Sequence, residues 1–239
     1  MASKLASLDG PSSRPASKTD IHGRIYNAIV EQRLQPGTKL TEERLAELFE
    51  VSRTQVRGVL QRLAVEQLVT LVPNRGAFVA TPTAEDARDV LAVRRILEPS
   101  CVERLVSRMA SGEVKRAVQQ LRSLVKREDR ARLAGDRQTA VRLSGEFHVL
   151  LAELSGSRIL HRMMHELTPL TCLAILAFEA PTPSACPNDE HSRLVDAIEA
   201  GDAEAAASLM REHLQHIENA LRLDAQTDRE VDLARILLS

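Results

Sequence analysis

Apolar residues recur three and four apart along most of the chain, which predicts a mostly helical protein. Thr19–Gln32 carries Ile21, Ile25, Ile29 and Val30 at this spacing. After a turn at Pro36-Gly37, Thr41 is placed to cap a second helix with Glu42 and Glu43 in its first turn and Leu45, Leu48 and Phe49 as its apolar face. Ser52 caps a third helix to about Glu66, with Val56, Val59, Leu60 and Leu63 on one side. The pattern then changes. Leu68-Val69-Thr70-Leu71-Val72, a turn at Pro73-Asn74-Arg75-Gly76, and Ala77-Phe78-Val79 predict a two-stranded hairpin. Val79–Thr83 reads as extended, since Pro82 biases Thr81 away from helix, and Thr83 is an N-cap with Asp86 three residues on. From Ala84 to about Ala225 helix follows helix, punctuated by Gly112, Gly135, Gly156, Gly201 and Pro181-Thr182-Pro183.

This divides the 239 residues into a Ser-, Ala- and Pro-rich arm (1–18), a small module (19–80), a linker (81–83), an all-helical antiparallel bundle (84–225) and a tail (226–239). Only 2% of residues are aromatic while 44% are hydrophobic, so the core is aliphatic and suits packed helices. No apolar run reaches the ~18 residues of a membrane span. The N-terminal residues lack a secretory pattern, and Cys101, Cys172 and Cys186 are an odd count without metal-finger spacing, so a reducing cytoplasm is the expected compartment. Charge almost cancels, 32 basic against 33 acidic residues, which excludes a histone-like protein. Its distribution is uneven: Arg14–Thr83 holds 10 basic and 7 acidic residues, Ala84–Ser239 holds 21 and 25. A mildly basic module on an acidic helical body fits a nucleic-acid reader joined to another function.

Helix, helix, tight turn, helix, hairpin is the order of a winged helix, whose third helix fits the DNA major groove with its first residues at the base edges. Arg53 and Arg57 lie one turn apart and point the same way. Gly76 at the hairpin tip lets Arg75 and the backbone approach a phosphate or the minor groove. Any single arginine here is better explained by a solvated helix face; the agreement of order, spacing and tip chemistry favours DNA.

The stretch LQPGTKLTEERLAELFEVSRTQVRGVLQRLAVEQLVTLVPNRGAFV strongly resembles the winged-helix domain of GntR-family bacterial transcription regulators over about residues 19–80. The resemblance implies DNA contacts by Arg53, Thr54, Arg57 and Gly76, joined in the candidate set by Thr41, Arg44, Gln55 and Arg75. Two residues depart from the family pattern. Gln55 stands where the family usually has Pro, and Gln can hydrogen-bond adenine. The family's second-helix Arg falls on Glu43, with Arg44 beside it.

In the helical part, Val90, Arg94, Leu97, Cys101 and Leu105 form one row, so an arginine lies in a core-facing stripe. It is satisfied either by Glu98 one turn on, or by reaching solvent, or by clamping an anionic ligand in an internal pocket. His148 lies in the row of Val141, Ser144 and Leu151; His191 in that of Leu194, Val195 and Ile198; His213 in that of Leu209, Ile217 and Ala220. Each histidine could be an ordinary core residue. Three on inward stripes of three helices could equally converge as a metal site with open positions. His161 and His165 also have chelating spacing, but their neighbours suggest a solvated face. His216, one turn from His213, could replace it or support it.

The segments EFHVLLAELSGSRIL and NDEHSRLVDAIEAGDAEAAASLMREHLQHI look like the two signature blocks of the FCD ligand domain of FadR-type GntR regulators, and VRRILEP resembles its first-helix pattern. The resemblance implies that Arg94 binds an effector's carboxylate. It also implies a metal held by an Asp and three His, the His falling on His148, His191 and His213. The Asp position holds Ser144, a poor uncharged ligand for zinc or manganese. Three histidines could still hold zinc, manganese or nickel, with water or effector completing the set, or could hydrogen-bond an acid directly. Arg94, Ser144, His148, His191 and His213 are therefore the candidate effector site.

Together these readings predict a cytoplasmic, homodimeric, non-enzymatic DNA-binding regulator, a repressor, controlled by a small carboxylate that shifts the winged helices through the Val79–Thr83 linker. Two rivals follow from the same residues. One is a metalloenzyme using the three histidines, which lacks an evident base; the other is a ligand-independent architectural DNA binder, which leaves Arg94 without a purpose.

Overall fold

The computed structural model describes residues 17–108, 114–178 and 189–223. The arm up to residue 16, the turns placed at Gly112 and Pro181-Thr182-Pro183, Cys186 and the tail 226–239 lie outside them.

The first module is α1 (Lys18–Val30), β1 (Lys39–Leu40), α2 (Glu42–Phe49), α3 (Arg53–Val65), β2 (Val69–Val72) and β3 (Gly76–Val79). Lys18, read above as the last residue of the arm, instead opens α1. Ser17 accepts from the Asp20 amide while the Asp20 side chain accepts from the Ser17 amide, so two otherwise orphaned donors are satisfied and the helix starts there. Ser52 and Gln55 cap α3 in the same reciprocal way. Thr41 occupies the cap position of α2 but makes no capping hydrogen bond.

The hairpin is part of a three-stranded antiparallel sheet, order β1-β3-β2, not the two-stranded one predicted. Lys39 pairs with Phe78 and Leu40 with Ala77, and a two-residue strand offers no alternation to read in sequence. Gly76 at the hairpin turn has φ +99°, which L side chains rarely adopt. Leu48 is 70% exposed, contrary to the expectation that it faces the core. It lies about 200° around the helix from the buried Ala46, at ~100° per residue.

The second module comprises α4 (Ala84–Ser107), α5 (Val114–Leu133), α6 (Arg137–Leu154), α7 (Arg158–Phe178), α8 (Glu190–Glu199) and α9 (Ala203–Ala220). Thr83 and Asp86 cap α4 reciprocally, as the sequence predicts. Gly135, Gly156 and Gly201, all at positive φ, end α5, α6 and α8. Helix α4 packs on α6, α7 and α9, α5 on α6 and α8, and α8 on α9. The core is aliphatic with one central aromatic, Phe147. Cys101 and Cys172 are buried free thiols, and burial pushes them up to about 12 and about 11.

The modules touch directly, not only through the Val79–Thr83 linker. Leu173 of α7 is buried in the apolar core of the winged helix, with Leu170 packed beside it. Tyr26 of α1 stacks on His165 of α7 with ring centroids 5.5 Å apart, and His165 is exposed, as the solvated face expected for it requires. Arg142 of α6 pairs with Glu31 at the end of α1, Nε to Oε1 3.1 Å.

Candidate functional site

The three histidines singled out in the sequence come together. His148 on α6, His191 on α8 and His213 on α9 are 3%, 4% and 6% exposed. Each offers a ligand atom, all three atoms lying within 4.8 Å of one another, and among the described residues no other such group of His, Cys, Asp or Glu occurs. Their rings are 4.7–5.2 Å apart, and Phe147 stacks on His191 at 4.2 Å.

The ring orientation is set from outside the cluster. His148 Nδ1 donates to Glu98 Oε2 at 2.5 Å, His191 Nδ1 to Glu128 Oε2 at 2.8 Å and His213 Nδ1 to Glu190 Oε2 at 2.6 Å. An ionised carboxylate only accepts, so the proton sits on Nδ1 and the lone pair on Nε2. Burial disfavours charge on Glu98, but Arg94 and His148 outweigh it and hold the carboxyl at about 2; Glu128 and Glu190 are held low by their histidines in the same way, Glu190 at about 2. Burial pushes His148 down to about 3 and lowers His213, so both are neutral near pH 7. The cluster thus aims imidazole Nε2 lone pairs inward with anionic support behind them, the form in which histidine binds a metal. The Nε2 atoms of His148 and His213 are 3.3 Å apart, close to the ~3.3 Å implied by two Zn–N bonds of about 2.0–2.1 Å in a tetrahedral site. His191 Nε2 is buried without a hydrogen-bond partner. The residues present therefore fit a divalent ion.

Arg94 is 2% exposed. Its Nε donates to Glu98 Oε1 at 2.5 Å, the helical pairing the spacing allowed, yet its Nη2 is buried and unpartnered. Glu98 thereby ties Arg94 to His148. Ser144, one turn before His148 on α6, is partly buried. His216 supports rather than joins the cluster: its Nδ1 donates to the second oxygen of Glu190. Glu146 points away, to Arg142.

Sequence reasoning missed Glu128 and Glu190 as supports. Glu190 adjoins His191, which was a usable signal. Glu128 lies within the run Arg127-Glu128-Asp129-Arg130, where nothing distinguishes an inward carboxylate.

The DNA-facing candidates gather elsewhere. Arg53, Thr54 and Arg57 are exposed along the start of α3, and Thr41 and Arg44 are exposed at the start of α2. Glu42, Arg57, Asn74 and Gly76 line one surface depression, so recognition helix and wing share a face. Arg75 is exposed at the wing with its guanidinium 5.9 Å from the Phe78 ring. Two residues are already engaged. Arg57 grips Glu42 through Nε and Nη2 at 2.9 and 2.8 Å, and the Gln55 carbonyl oxygen is folded back onto Ser52. Glu43, at the family's arginine position, lies 4.0 Å from Arg53.

Against known proteins, the model of the FCD domain matches residues 89–216, and that of bacterial regulatory proteins of the gntR family matches residues 18–79. The HTH-type transcriptional regulator LutR of Bacillus subtilis is 25% identical over 210 residues, 79% of this chain and 93% of the relative. The HTH-type transcriptional repressor RspR of Escherichia coli is 24% identical over 198 residues, 81% of this chain and 84% of the relative. A crystal structure of a GntR transcriptional regulator from Rhodococcus sp. RHA1 superposes with a TM-score of 0.74 at 27% identity, covering 84% of this chain and 95% of the other.

Proposed function

Because the chain belongs to the GntR family of bacterial regulatory proteins and carries an FCD domain behind its winged helix, and so is a DNA-binding transcription regulator rather than an enzyme, we propose that it is a cytoplasmic homodimeric repressor whose hold on operator DNA is set by a small carboxylate. The acid binds in the helical domain beside a divalent ion.

The observation that carries this reading is the convergence of three buried, carboxylate-backed histidines next to a buried arginine with a free Nη2. His148, His191 and His213 would hold zinc, manganese or nickel, and the ion when bound supplies a Lewis-acidic anchor for an oxygen ligand. Arg94 supplies a charge-assisted donor for a carboxylate. Ser144 brings no charge to the ion, so its double charge stays less compensated than with an Asp ligand, and an anionic effector is favoured.

A dimer places two recognition helices on the halves of a near-palindromic operator. The effector site and the winged helix share elements. His148 and Arg142 lie on α6, and α7, which packs on α4 and α6, also inserts Leu173 into the winged-helix core. An acid that binds one arrangement of these helices more tightly than another shifts the placement of the DNA-reading surfaces.

The test is operator release. Duplexes selected from a random pool by the full-length protein identify the operator, and fluorescence anisotropy then follows its binding in the presence of zinc and small carboxylic acids. At least one acid should weaken operator binding about tenfold or more, and Arg94→Gln should lose that response while still binding operator. Indifference of operator affinity to every acid, with and without metal, would contradict the reading.

A further inference from the structure

The wing has two flanks. One faces α3 and shares a depression with it through Glu42, Arg57, Asn74 and Gly76. The other is the outer face of the sheet. Ala77 and Val79 are buried on the core side of β3, so alternation turns Phe78 to the outside. Lys39 on β1 and Thr70 on β2 pair with Phe78 from either side. Residues opposite one another share a face, so Lys39, Phe78 and Thr70 form one line across the outside of the wing.

Phe78 gathers positive charge. Lys39 Nζ and the Arg75 guanidinium carbon each lie 5.9 Å from the centre of its ring, within the ~6 Å over which a ring attracts a cation. Among the described residues neither cation is paired with a carboxylate, whereas Arg57 is held by Glu42 and Arg53 lies 4.0 Å from Glu43. Attraction to a ring is weak at an exposed site, and two like charges beside one ring repel each other. An anion between them turns that repulsion into attraction. The same flank has room for one: Arg75 and Phe78, with the exposed Thr70 and Thr81, line an open depression of about 380 Å³.

Lys39 also reaches the tip of the wing. Its Cε lies 3.8 Å from the point where a Cβ on Gly76 would sit, so the lysine stem runs beside the hairpin turn. Gly76 therefore separates the two flanks, lining the depression shared with α3 on one side and meeting Lys39 on the other.

We propose that Lys39 and Arg75, gathered at Phe78, form a second DNA contact surface that grips the phosphate backbone on the outer side of the wing. Lys39 stands outside the set of DNA-contacting residues that the family resemblance implies. The minor groove is only ~6 Å wide, so a hairpin set at it meets a phosphate strand on each side. The flank facing α3 meets one strand, and Lys39 with Arg75 meets the other. A phosphodiester is the same at every step of the duplex, so this contact adds affinity without base preference. The inference does not depend on the effector or the metal.

Salt titration of operator binding tests it, read by fluorescence anisotropy with full-length protein and a duplex selected from a random pool. Wild type, Lys39→Gln and Lys39→Arg are compared. Lys39 is exposed, so both variants should keep the wild-type denaturant midpoint. Lys39→Gln should weaken binding and lower the slope of log K against log salt by about 0.9 for each protomer bound, the effect of one lost phosphate contact. Lys39→Arg should keep the wild-type slope, and selection with Lys39→Gln should return the wild-type operator sequence. Equal slopes in wild type and Lys39→Gln would overturn the proposal. Equal losses in Lys39→Gln and Lys39→Arg would also overturn it, since the effect would then follow the shape of the side chain and not its charge. A changed operator preference in Lys39→Gln would assign Lys39 to base reading and overturn the backbone contact.

Discussion

Glu98 and His148 meet across α4 and α6 with 2.5 Å between Oε2 and Nδ1, and both side chains are almost wholly buried. The other oxygen of Glu98 accepts from Arg94. One carboxylate thus fixes the tautomer of a candidate metal ligand and neutralises a candidate effector clamp.

Replacing that carboxylate should be costly. Glu98→Gln leaves the Arg94 guanidinium buried without its counter-charge, and breaking a buried ion pair by removing one partner costs about 3–5 kcal/mol. Chemical denaturation of metal-free protein measures this. A loss below about 1 kcal/mol, the range of an exposed pair, would mean that Arg94 is neutralised by another group.

Acid should destabilise the metal-free protein from an unusually high pH. Unfolded, His148 takes up its proton near 6.5; folded, burial delays this to about 3. Between those values the unfolded chain binds more protons, so stability falls as pH falls. Glu98 acts in the same direction: its contribution is present above 4.5 and is lost as pH drops toward about 2. The denaturant midpoint should decline steadily below pH 6.5, and His148→Gln should flatten the upper part of that decline. A midpoint that holds level from pH 6.5 to 5 would contradict a neutral buried His148.

Ser144→Asp should strengthen metal binding. Position 144 is one helical turn before His148, where an added carboxylate brings both a ligand and a charge to the ion. Zinc titration against a competing chelator should show at least about a tenfold gain, the lower end of what even a residue behind the ligands contributes, and anionic effectors should then bind less well. Unchanged zinc affinity would place residue 144 out of reach of the cluster.

At the DNA surface, Arg57 must exchange Glu42 for phosphate or base. Arg57→Ala should lower operator affinity and reduce the slope of log K against log salt by about 1. Glu42→Gln, which frees the guanidinium, should raise affinity at low salt. If Glu42→Gln weakens binding instead, the Glu42–Arg57 pair positions the arginine for DNA rather than competing with it.

The parts of this architecture legible in sequence are those where one residue breaks a local pattern. Arg94 stood out because a guanidinium occupied a position in an apolar row, and the three histidines stood out in the same way. Glu98 followed as the residue one turn from Arg94. Strand β1 was too short to carry a period. The docking of α7 on the winged helix was not legible because Leu170 and Leu173 read as ordinary core positions of their own bundle, and a contact between elements more than 100 residues apart leaves no local trace.

Metal content per chain, by elemental analysis of full-length protein purified without added metal or chelator and then reloaded with zinc, manganese or nickel, tests the central claim most directly. About one ion per chain, lost in His191→Ala, is the predicted result, since each of the three histidines supplies one of few ligands. Protein that takes up none of these metals, or that keeps the ion after His191→Ala, would contradict a three-histidine centre.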